Sequence, residues 1–156
     1  MVKDEEIRVL QRAIRQLQRS LIFQSKNDAR CCGITFAQCH ALMEIGNDQS
    51  ITLNNLASLL SLNNSTLSRT VDSMVKGDLV KREVNPEDRR AVNITLTEKG
   101  KLLYDSLNCT YDSFYRNIMD LIPAEKQAQV IDSIALLAGA VIKTGYDQCC
   151  EEDMKS

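Results

Sequence analysis

The chain has 156 residues, 44% of them hydrophobic and 26% charged, with a formal net charge of −2. That size and composition describe an ordinary globular chain with a real core; the net charge argues against a wholly basic nucleic-acid binder, and the sequence has no internal repeat. Only two prolines and six glycines interrupt it, which favours helices over many short strands.

The charge is uneven. Met1–Arg30 holds seven Lys/Arg against four Asp/Glu, Ser61–Lys101 eight against six, and Leu102–Ser156 four against nine. The acidity is therefore concentrated near the C-terminus, and the middle is mildly basic. No stretch approaches the ~20 apolar residues of a membrane span, and Met1–Arg12 lacks the apolar run of a signal peptide. A cytoplasmic chain without membrane contact is expected. Its six cysteines then read as thiols rather than as a disulfide framework.

In chain order, Ile7, Leu10, Ile14, Leu17 and Leu21 recur at spacings of three and four, with Arg8, Arg12, Arg15 and Arg19 off that seam. This predicts a long helix whose apolar stripe seeks a partner. A break is expected over 27–33, then a second helix from about Thr35 to Ile45, stopped by Gly46. A short helix capped by Thr52 follows. The turn 61–64 leads to a third helix beginning after Asn63 or Asn64 and ended by Gly77, with Leu67, Val71, Met74 and Val75 on its apolar face. Alternation over Leu79–Val84 and again over Val92, Ile94 and Leu96, with Pro86 in the turn between, predicts a hairpin with a charged tip. Thr97 caps a helix to about Leu121, and Pro123 opens a last long helix to about Gly145.

Two helices joined by a short turn and followed at once by a charged hairpin make a winged helix-turn-helix, mainly α with a small β-hairpin wing. The start of the second helix of the pair offers Asn64, Ser65, Thr66, Ser68 and Arg69. Short polar side chains let a helix end enter a major groove and bond base edges or phosphates, and Arg69 suits a phosphate or guanine contact. The wing tip offers Asp88, Arg89 and Arg90. An inserted arginine is attracted by minor-groove potential, and a carboxylate beside it can orient the guanidinium.

The run Asn85-Pro-Glu-Asp-Arg-Arg-Ala-Val-Asn-Ile-Thr-Leu-Thr-Glu-Lys-Gly100 resembles the wing of the MarR family, and Leu53–Gly77 resembles that family's helix-turn-helix. The resemblance extends over nearly the whole chain and implies one intertwined domain. Residues 1–34 would form an N-terminal dimerisation helix, 35–100 the DNA-binding region and 101–156 the C-terminal dimerisation helices. It further implies a homodimer addressing successive major grooves of a pseudo-palindromic operator in double-stranded DNA. Many members are repressors released by a small ligand, a metal ion or an oxidant.

Five of the six cysteines cluster at Cys31, Cys32 and Cys39 and at Cys149 and Cys150. Thiolates are soft ligands for a thiophilic metal or metalloid ion, so this set is the expected effector site, with His40 as an additional ligand. The alternative for each is that of a small core hydrophobe, and Cys109 is expected in the core. A thiol oxidation switch is a further reading. No resident cofactor is required. The competing function is a winged-helix adaptor that binds no DNA, for which a double-arginine wing tip has no use. An enzyme is disfavoured: the sequence has no phosphate-cradling glycine loop, and Cys39-His40 are neighbours about 100° apart on a helix.

Overall fold

The computed structural model describes residues 3–85 and 91–144. Among the described residues six helices and three short strands follow one another: α1 (Asp4–Cys31), α2 (Phe36–Asp48), β1 (Ile51–Thr52), α3 (Leu53–Leu59), α4 (Asn64–Lys76), β2 (Val80–Val84), β3 (Val92–Leu96), α5 (Glu98–Asp120) and α6 (Ala124–Thr144). The fold is mainly helical with a small sheet, as expected. The chain divides into two packed units, Met1–Thr110 and Tyr111–Ser156. None of the described helices is long and apolar enough to cross a membrane.

The first unit owns the core. Leu42 and Ile45 of α2, Leu56 of α3, Leu67, Val71 and Met74 of α4, and Ile94 of β3 are fully buried. Their spacing in the sequence puts each set on one helix face or one strand face, so three helices and a sheet close around a single apolar centre. The sheet order is β1-β3-β2, all antiparallel. Ile51 pairs with Ile94, and Val80 pairs with Leu96. β1 was not expected. Two residues carry no alternation to read, and Thr52 serves at once as a strand residue and as the cap of α3, where its hydroxyl accepts from Asn55 N–H.

Several boundaries differ from the sequence expectation. α1 runs unbroken to Cys31, so the joint to α2 is only residues 32–35. Gly33 takes the left-handed conformation (φ 70°) and Ile34 N–H reaches back to Ala29 carbonyl, which closes the helix end. Gly46 does not stop α2. The helix continues to Asp48, and Gly46 is the point where the Tyr104 ring lies so close that a Cβ would collide with it. Tyr104 also donates its hydroxyl to Asn47 (2.8 Å), which fixes that ring over the helix. Gly77 does cap α4, but in a right-handed conformation. The left-handed residue is Asp78 (φ 56°), and Leu79 N–H returns to Met74 carbonyl. Ser61 (φ 51°) plays the same part after α3, with Leu62 N–H on Ala57 carbonyl.

α5 begins as its sequence indicates. Thr97 donates its hydroxyl to Asp78 carbonyl (2.6 Å) and accepts from Gly100 N–H (3.0 Å). Gly100 is pressed against the carbonyl of Leu79, so any side chain there must displace backbone. Cys109 is a correction. It is exposed, two residues beyond the buried Leu107 and therefore on the far side of α5.

Candidate nucleic-acid interface

α3 and α4 form the expected helix pair across the turn 60–63. Asn63 is the cap of α4: its side-chain oxygen accepts from Thr66 N–H (2.8 Å) and from the Ser65 hydroxyl (2.8 Å). Asn64 donates its side-chain amide to Asn54 of α3 (3.2 Å), a bond that pins the two helices to each other. Leu67, Val71 and Met74 bury the inner face of α4. Ser65, Thr66 and Arg69 are left exposed on the outer face, with Ser68 half-buried beside them. Val75, expected on the apolar face, is 39% exposed and lies at its edge. The first two turns of α4 thus present hydroxyls and one guanidinium to solvent from a rigidly backed helix.

The hairpin β2–β3 follows in register from Val80–Leu96 to Val84–Val92. Only its base is in the core. Val80, Ile94 and Leu96 are buried, whereas Val84 and Val92 are exposed although they continue the same alternation. The outer half of the hairpin has moved beyond the body, so the alternation no longer corresponds to burial. Asn85 donates to Asn93 near its end (3.2 Å). The expected tip residues Asp88, Arg89 and Arg90 lie outside the described residues.

Sequence reasoning missed the links that hold these parts together. Arg82 of β2 pairs with Asp72 of α4 at 2.7 Å, which joins hairpin and helix on the exposed side. Gln38 of α2 donates to Ser73 of α4 (3.0 Å). Lys99 donates to Gly77 carbonyl (2.8 Å) at the C-terminal end of α4, where a cation suits the helix dipole. The only sequence sign of these contacts is that polar residues sit at outward positions of α4, and that pattern does not say which of them meet.

The thiols are less gathered than expected. Cys39 faces the core of α2 and is fully buried, Cys31 is exposed, and Cys32 is half-buried. Among the described residues no three His, Cys, Asp or Glu side chains are assembled to hold a metal ion, so Cys31, Cys32 and Cys39 are not a ready ligand set. Cys149 and Cys150 lie outside the described residues. His40 is exposed and stacks edge-on against Phe36 (4.3 Å). Burial pushes the Cys32 thiol above the usual cysteine value, and negative charge on Cys31 and Asp28 adds to the shift. Cys32 also borders a cleft of about 560 Å³ with Gln38, Ser73, Leu79, Lys99 and Leu103 on its walls. That cleft joins the α1–α2 joint to the end of α4.

The sequence model of the MarR family matches residues 34–92, from just before α2 to the first residue of β3. Solved structures extend the likeness. A MarR transcriptional regulator from Methanosarcina mazei Go1 is 21% identical with a TM-score of 0.77, over 88% of this chain and 99% of that one. Streptococcus pneumoniae FabT, solved in complex with DNA, is 17% identical with a TM-score of 0.79, over 89% and 99%. The Staphylococcus aureus MepR–DNA complex is 20% identical with a TM-score of 0.69, over 83% and 95%. Residues 34–92 thus match the MarR-family model, and the chain has the winged-helix fold seen in these solved structures.

Proposed function

We propose that this protein is a DNA-binding transcriptional regulator, a repressor rather than an enzyme, which binds a pseudo-palindromic operator as a homodimer. The observation that carries this reading is the outer face of α4. A helix clamped from behind by Leu67, Val71 and Met74 and tied to its neighbours by Asn64, Ser73 and Asp72 turns Ser65, Thr66 and Arg69 outward together. That face has the size and chemistry of a major-groove reader. The hairpin, with Arg89 and Arg90 in its connecting segment, would add a minor-groove contact oriented by Asp88.

The dimer rests on uncovered apolar surface. No residue of α6 is buried, and Ile134, Leu136 and Ile142 are among its exposed side chains. In α1, Ile7, Leu10 and Leu17 are 41–50% exposed. A second copy covers these faces. Protection of the DNA upstream of the protein's own gene tests both points at once. Two protected patches about one helical turn (~34 Å) apart, each needing one subunit, are expected. A single patch formed by a monomer refutes the dimeric reading.

An effector would act at the α1–α2 joint, through the cleft beside Cys32 or through a thiophilic metal or metalloid ion on Cys31 and Cys32 with Cys149 or Cys150. An ion that changes DNA affinity tenfold needs about 1.4 kcal/mol of preference for one state. Arsenite, Cu(I), Cd(II) and Zn(II) added to the DNA titration test this. Equal responses of the native protein and the Cys31→Ser and Cys32→Ser variants refute the thiol route.

A further inference from the structure

α1 carries a second charged surface that the helix-turn-helix does not use. Between Ile7 and Asn27 the sequence has no carboxylate, but it has Arg8, Arg12, Arg15, Arg19 and Lys26. The four arginines follow one another at four, three and four residues, so at about 100° per residue they share one face. That face lies roughly 150° around the helix from the stripe Ile7, Leu10, Ile14, Leu17 and Leu21. All four are exposed, and among the described residues no salt bridge involves them. A copy seated on the apolar stripe therefore leaves the arginines open.

Like charges at i, i+4 repel by a few tenths of a kcal/mol, so this row costs helix stability when nothing faces it. Along the axis the arginines stand about 4.5–6 Å apart and cover about 16 Å. One DNA strand presents a phosphate every ~3.4 Å of axis, which places several phosphates within that length. Guanidinium groups match phosphate oxygens through paired N–H donors, and the row uses arginine at all four positions. The same unit, Met1–Thr110, holds the helix-turn-helix, so the row belongs to a body already shaped for nucleic acid.

We propose that the Arg8–Arg19 row of α1 is a second, sequence-independent binding surface for a nucleic-acid phosphate backbone, separate from the α4 reader. It allows one dimer to hold a second DNA segment, or to retain non-operator DNA, while α4 reads sequence. The surface deepens the regulator reading but is tested apart from it.

The experiment is a fluorescence-anisotropy titration of the full chain against a random-sequence duplex over a series of salt concentrations. The variants are the native protein, a set with Arg8, Arg12, Arg15 and Arg19 all changed to Ala, the same four changed to Lys, and Arg69→Ala. Alanine favours helix, so α1 is retained, which circular dichroism checks. Each lost phosphate contact lowers the slope of log affinity against log salt by about 0.9. The alanine set is expected to lower it by about 3 to 4 and to weaken low-salt binding by about tenfold or more. The lysine set keeps the native slope, and Arg69→Ala lowers it by about 1 at most. An unchanged slope in the alanine set overturns the proposal. So does tight binding of polyglutamate with none of the duplex, which assigns the row to an acidic protein. If the alanine set loses the dimer, a set of four glutamines, whose uncharged amides retain the long stems, is read by the same criterion. Failure of the α4 reading would leave the four-arginine slope change intact. Failure of this proposal would leave the operator effects of Arg69→Ala intact.

Discussion

The centre of the chain and its two terminal helices use similar amounts of apolar sequence to opposite ends. In α2, α4 and β3 the inward apolar positions close a core: Leu42, Ile45, Leu67, Met74 and Ile94 are 0% exposed. In α6, Leu136 is 76% and Ile142 80% exposed. Both regions are amphipathic or apolar by sequence, so hydrophobic pattern alone does not tell a closed core from an uncovered face. What separates them is connection. The central helices are short, each followed by a tight left-handed residue at Gln49, Ser61 or Asp78, and are forced back on one another. α1 and α6 run for 28 and 21 residues without such a turn.

Truncating a side chain therefore has different consequences in the two regions. Leu67→Ala or Ile94→Ala removes fully buried atoms and is expected to lower unfolding free energy by about 2–5 kcal/mol at any protein concentration. Urea unfolding at two concentrations measures it. Leu136→Ala with Ile142→Ala should instead show a loss that depends on concentration, because it weakens association. A large, concentration-independent loss in α6 would remove the distinction.

Gly100→Ala sharpens the picture of how α5 leaves the core. The added methyl meets Leu79 carbonyl, and the backbone has to shift, an effect of about 1–3 kcal/mol by analogy with overpacked cores. Thermal melting should fall accordingly, and an unchanged midpoint would mean that the contact relaxes without cost. Asn63→Ala removes the two hydrogen bonds that start α4 and should cost about 1 kcal/mol, again read by urea unfolding. Full retention of stability would show that the α4 start does not depend on its cap.

The smallest expected effect concerns the thiols. Cys31 is exposed, whereas Cys32 is half-buried with its pKa raised by burial. The thiolate is the nucleophile, so at neutral pH iodoacetamide should modify Cys31 first, and Cys32 should catch up only as pH rises through its raised pKa. Peptide mass spectrometry reads the order. Earlier modification of Cys32 would contradict the burial assigned to it.

Much of this was legible in the sequence, and the exceptions have physical causes. Caps at Thr35, Thr52, Asn63 and Thr97 and the spacing of Leu67, Val71 and Met74 mark the helices because capping and burial are local in sequence. Gly46 misled because a glycine inside a helix looks like a stop, while its actual reason, the Tyr104 ring, lies more than fifty residues away. Val84 and Val92 mark the hairpin without being buried, because alternation reports strand conformation and the outer hairpin keeps that conformation beyond the core. The outward face of α4 was readable residue by residue. The Asp72–Arg82 pair that links it to the hairpin was not, since it depends on how α4 and β2 meet.

The most direct measurement is an equilibrium titration of the native protein and of Arg69→Ala against the DNA upstream of its gene, with Arg116→Ala as a control for losing one positive charge elsewhere on the chain. If α4 is the reader, Arg69→Ala weakens binding by about 1–3 kcal/mol, roughly 5- to 150-fold, and leaves the dimer intact, while Arg116→Ala stays near native. Equal affinities for the native protein and Arg69→Ala, or equal losses for Arg69→Ala and Arg116→Ala, would contradict it.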